Sequence, residues 1–126
     1  MARSRVHVWV LLVLALGAAG CAGGRISAAA EARGTVQTFL AQCAAGRGAR
    51  VLETLNRPAR HVFLDGGCAA VLRVPATAVA GLADVTPRLT RFDGAQATFA
   101  LPRGAAGGVT LAVSWGSEGW RIEGPS

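Results

Sequence analysis

The hydrophobic period changes halfway along this chain, and that switch restricts the folds open to it more than any other feature. In the first half Val36, Phe39, Leu40 and Cys43 fall at i, i+3, i+4 and i+7, one face of an α-helix. Ser27 is placed to cap that helix and Gly46 to stop it, with Gly34 a weak point inside. A second, short helix is expected over 49–56, burying Val51, Leu52 and Leu55 until Pro58 interrupts. Helical character resumes weakly through Val62 and Phe63. After the Gly66-Gly67 break, Cys68 to Leu72 reads as another apolar turn or short helix.

Beyond Pro75 the pattern becomes strand-like. Residues 85–92, 95–101, 109–115 and 120–123 are short runs bounded by turn residues, as in an antiparallel meander. Val109, Leu111, Val113 and Trp115 alternate with Thr110, Ala112 and Ser114, so one face of that strand is strongly apolar. Asp93-Gly94 signals a two-residue hairpin, 104–108 a looser connection and 116–119 the last turn. Helices followed by strands imply an α+β domain, its N-terminal helices packed on one face of a curved antiparallel sheet.

Ahead of this domain stands a segment of another kind. Arg3 and Arg5 precede an apolar stretch from Val6 to about Ala19, the layout of a signal peptide. The stretch is shorter than the ~20 apolar residues a bilayer-spanning helix needs. Ala19 and Gly20 before Cys21 resemble the lipobox of bacterial lipoproteins, whose peptidase cuts before a cysteine carrying a diacylglycerol. Ala18 stands where most lipoboxes have leucine. Cleavage there makes 1–20 the signal peptide, 21–28 an acylated (palmitate-bearing) flexible tether and 29–126 a single domain. The expected location is the extracytoplasmic face of the cell membrane, held by the N-terminal lipid. An ordinary secretory cut within Ala18 to Ala22 is the other reading, and it exports the domain too.

Charge adds little. The chain holds 13 basic residues, all arginine, against 7 acidic ones. Arg3 and Arg5 leave with the signal, so the exported part carries +4. Arginine without lysine, amid abundant Ala, Gly and Val, is also what a GC-rich genome writes. The arginines are scattered and no aromatic residues interleave with them, so nucleic acid is not an expected partner.

Cys43 and Cys68 are the cysteines left once Cys21 is acylated, an even pair where disulfides form and persist. A bridge closing their loop of 25 residues stabilises by about 3.5 kcal/mol on the chain-entropy model. The alternative is a thiol site with His61.

The segment from Val36 to Arg47, a second helix after it, and the closing strand Glu118-Gly119-Trp120-Arg121-Ile122 together resemble small actinobacterial lipoproteins of the nuclear transport factor two-like superfamily. The resemblance covers most of the exported chain and implies a cone-shaped fold, a long N-terminal helix and shorter helices leaning on a bent sheet. This chain is a short version, with little room between Pro75 and Val85 for the usual early strands. The superfamily contains isomerases, dehydratases and cyclases alongside domains with no chemistry, so the site must be argued on its own.

Acid–base work on a carbon acid needs a carboxylate or imidazole in an apolar pocket. The candidates are His61 and Asp65, whose spacing of four puts them on one helical face; a polar edge of a broken helix explains them as well. Trp115 and Trp120 face each other across the last hairpin and offer a wall for an apolar ligand, or belong to the core. No metal-ligand set at recognised spacing is present, and the glycine-rich 104–108 has neither the lysine nor the following helix of a phosphate loop. No cofactor is expected. A non-enzymatic binding domain for a protein partner or apolar ligand is the first expectation; an isomerase or cyclase using His61 or Asp65, and an accessory subunit of an envelope complex, are the alternatives.

Overall fold

A computed structural model of the protein describes residues 27–102 and 108–124. The expected signal peptide, 1–20, and residues 21–26 of the expected tether, with Cys21, lie outside the described residues, as do 103–107 of the loop before the third strand.

Helix α1 covers residues 27–45 and buries the whole predicted stripe of Val36, Phe39, Leu40 and Cys43, extended one turn back by Ala32. Ser27 is itself helical, so its cap falls outside the described residues, and the last two residues of the expected tether belong to the helix. Gly46 ends α1 at φ 69, with Gly46 N–H on the Cys43 carbonyl and Arg47 N–H on the Gln42 carbonyl, a Schellman stop.

Helix α2 runs only over Gly48–Leu52, shorter than the expected 49–56. The chain leaves it because 54–56 is drawn out beside the last strand. Ile122 N–H donates to the Thr54 carbonyl at 2.8 Å, Asn56 N–H to the Ile122 carbonyl at 2.9 Å, and Leu55 makes a parallel bridge to Ile122. Leu55 is fully buried, through strand pairing rather than a helical face.

Helix α3, Arg57–Leu72, begins where Pro58 was expected to interrupt. Proline in the first turn surrenders an N–H that has no helical partner anyway, and the Asn56 side chain caps the turn by accepting from Ala59 N–H at 3.0 Å. The expected break is present: Gly67 at φ 71, ψ −166 separates a helical piece ending at Gly66 from one holding Cys68, Val71 and Leu72. The short gap before the sheet is a 3₁₀ segment, Ala76–Asp84, anchored by fully buried Leu82. Sequence periodicity had suggested no element there. No single described helix is long and apolar enough to cross a membrane; α3 and the 3₁₀ segment meet that length and composition only as a pair bent by 68°.

Four strands, β1 Arg88–Phe92, β2 Gln96–Ala100, β3 Thr110–Gly116 and β4 Gly119–Ile122, form an antiparallel sheet in the order β1-β2-β3-β4. The first turn is centred one residue later than expected, on Gly94-Ala95. Asp93 N–H meets the Gln96 carbonyl, Gly94 takes φ 96, and the Asp93 carboxylate accepts from Ala95 and Gln96 N–H at 3.0 and 2.7 Å. Aspartate thus serves at the flank, leaving the positive-φ position to glycine.

Ala97, Phe99, Leu111, Val113, Trp120 and Ile122 from β2 to β4 join the buried side of α1, with Val51, Leu55, Ala59, Leu72 and Leu82, in one core. The molecule is therefore α+β, a helical layer on one face of a four-stranded antiparallel sheet. Both sheet edges are managed. The β4 edge is covered by 54–56, and β1 carries a bulge between Leu89 and Arg91, exposed Arg88 and Arg91, and Pro87 just ahead, devices that discourage pairing with another chain.

Candidate functional site

Cys43 and Cys68 form a disulfide with their Cα atoms 6.0 Å apart, tying α1 to the piece of α3 beyond Gly67. The thiol alternative with His61 is thereby closed. Beside the bridge lies a recess of ≈ 120 Å³ lined by Gln42, Val51 and Phe63 among others. The Gln42 side-chain oxygen is buried there without a hydrogen-bond partner.

His61 and Asp65 do share the exposed side of α3, but among the described residues no hydrogen bond or ion pair joins them and neither lines that recess or the clefts described below. General acid–base catalysis gains its leverage from a group held against substrate in a water-poor pocket. Among the described residues these two have no such surroundings. The Asp93 carboxyl is held below its ordinary value by the N–H groups of Gln96 and Ala95 in an open turn. That is turn chemistry. No group of three or more His, Cys, Asp or Glu among the described residues could hold a metal ion.

The two tryptophans part company. They are cross-strand partners, and their rings meet edge to face at 5.6 Å. Trp120 is buried in the core and also approaches Phe92 at 6.3 Å, whereas Trp115 is 56% exposed. Trp115 follows Leu111 and Val113 on the apolar side of β3 but lies at the strand's end, where its ring is left open to solvent. With Leu64 it is one of two large exposed apolar side chains among the described residues.

Several clefts flank the sheet, two of them against α3. One, of ≈ 310 Å³, lies between the end of α3 (Val71 to Arg73) and residues 109–112 and 123–124. The other, of ≈ 470 Å³, brings Arg57 and Arg60 of α3 against Ser114, Glu118 and Arg121 of the β3–β4 hairpin. The sequence pattern gave no sign of this cluster, whose members look scattered. Its one local signal is the Arg57-Pro58-Ala59-Arg60 start of α3; the other half arrives only through the fold. Compared with protein-family models, curated proteins and solved structures, the chain matches none.

Proposed function

We propose that this protein is an exported, membrane-tethered binding domain, a short form of the nuclear transport factor two-like cone, that engages a protein partner or apolar ligand through the open aromatic end of its sheet. One observation carries the reading: Trp115 is 56% exposed on the apolar face of β3, backed by the edge of buried Trp120. A large aromatic presented from a rigid strand costs little conformational entropy to immobilise and supplies much apolar area, which is why tryptophan dominates binding hot spots. The disulfide supports an oxidising location, and the apolar N-terminal stretch ending at Cys21 supports the tether. The isomerase or cyclase alternative would rest on His61 and Asp65, which are both exposed on α3, and no observation favours it over binding. An accessory subunit of an envelope complex is a special case of the binding reading.

Two experiments in an actinobacterial host test this. A photo-crosslinking residue at position 115 of the full chain should trap a defined partner that the same residue at position 98, on the opposite sheet face, does not; equal trapping, or none, at both positions overturns the binding surface. Cys21→Ser should move the protein from the membrane fraction to the medium, and unchanged fractionation overturns the lipid anchor.

A further inference from the structure

The cleft between the start of α3 and the β3–β4 hairpin is lined by three guanidinium groups, Arg57, Arg60 and Arg121, and one carboxylate, Glu118. That carboxylate is shared. Arg60 Nη2 donates to Glu118 Oε2 at 2.9 Å, and Arg121 Nε stands 3.8 Å from the same oxygen, beyond hydrogen-bond reach. Two positive charges are left over in a cavity of ≈ 470 Å³.

Donor capacity is left over too. Arg60 commits Nε to the Leu52 carbonyl and Nη2 to Glu118. Arg121 gives Nη1 to the Trp120 carbonyl, while its Nε is buried without an acceptor among the described residues. A guanidinium has five N–H donors, so each retains several, and a buried donor lacking an acceptor is destabilising and uncommon in folded proteins. Arg57 is exposed, with no ion pair among the described residues. The end of α3 adds only its dipole, because the Asn56 side chain already occupies Ala59 N–H and Pro58 has none to offer. Between the arginines the lining is small, with Ser114, Gly116, Ser117 and Gly119; a Cβ added at Gly116 would meet nothing within 4 Å.

We propose that this cleft binds a phosphate-class anion, held by Arg57, Arg60 and Arg121 and by the hydroxyls of Ser114 and Ser117. A tetrahedral phosphate accepts from several directions at once, as converging guanidiniums from two elements require, whereas a planar carboxylate is satisfied by a single fork. Glu118 is the internal competitor: it holds Arg60 and Arg121 while the cleft is empty and yields them when the anion enters. Free phosphate monoesters and the phosphodiester of an anionic lipid headgroup share this chemistry. The inference depends on neither Trp115 nor the lipid anchor, so it stands or falls separately from them.

The test is calorimetric titration of the oxidised full chain, in a non-ionic detergent, with inorganic phosphate and with dihexanoyl phosphatidylglycerol; dihexanoyl phosphatidylcholine is the zwitterionic control. Saturable binding of phosphate or of the glycerol lipid is expected. Arg57→Glu, at an exposed position, should weaken it roughly tenfold or more through reversal of a charge at the ligand. Glu118→Gln should tighten it by about three- to tenfold through removal of the competitor. Binding confined to phosphate assigns a free anion, and binding of the glycerol lipid but not the choline lipid assigns a headgroup. No saturable binding of either, or binding that both substitutions leave unchanged, overturns the proposal.

Discussion

Asp93 shows how much a single side chain can hold in place. Its carboxylate accepts from two backbone N–H groups of the first hairpin, which keeps the carboxyl below its ordinary value in the folded protein. A group depressed on folding contributes its stability above the unfolded value, near pH 4, and loses it as pH falls through the lower folded value. Wild type should therefore shed stability in that acid window, while Asp93→Ala, weaker at neutral pH, should lose less across it; urea midpoints at stepped pH read the difference. Gly67 is the other decisive residue. Its φ of 71 with ψ near −166 belongs to a region open essentially to glycine alone, and a Cβ there would meet nothing within 4 Å. Gly67→Ala should therefore cost about 1–3 kcal/mol of purely conformational origin in denaturant unfolding. The arginine cleft lies beyond the reach of sequence reading at this scale. Arg60 and Glu118 are 58 positions apart, and nothing local to either announces the other.

At the scale of elements, periodicity performed well wherever burial alone determines the conformation. The α1 stripe and the runs of β2, β3 and β4 are seen because the buried positions of each recur at the period of its own element, whereas β1 buries none of its residues fully and starts at Arg88, later than the run 85–92 suggested. Pattern failed where a nonlocal partner decides. Residues 54–56 read as the end of α2 and are instead extended, since Ile122 offers them two backbone hydrogen bonds. Pro58 read as a breaker and is a starter, because its effect depends on whether the chain enters or leaves a helix there. The disulfide links two elements that the broken α3 would otherwise leave loosely joined. Replacing Cys43 and Cys68 by serine should lower unfolding free energy by about 3.5 kcal/mol, measured against the oxidised wild type. Wild type treated with reductant should fall to the same value; a much smaller loss would mean that packing of Val71 and Leu72 already holds the second piece of α3.

For the whole molecule, the position of β4 has a temporal consequence. The strand is only Gly119–Ile122, yet it is flanked on both sides, by β3 and by the 54–56 segment. Until those residues are made, Thr54 and Asn56 have no strand to join, Trp120 and Ile122 are missing from the core, and the first half of the chain cannot close against the second. The helices precede the sheet in the chain, and β4, the strand that joins the two halves, comes after every other described element. Contacts between sequence-distant segments slow folding because a long loop must close first. A chain assembled in that order leaves its helical half without its sheet partner until β4 has been made, so the 54–56 segment must wait, unlatched, for a strand encoded more than sixty residues after it.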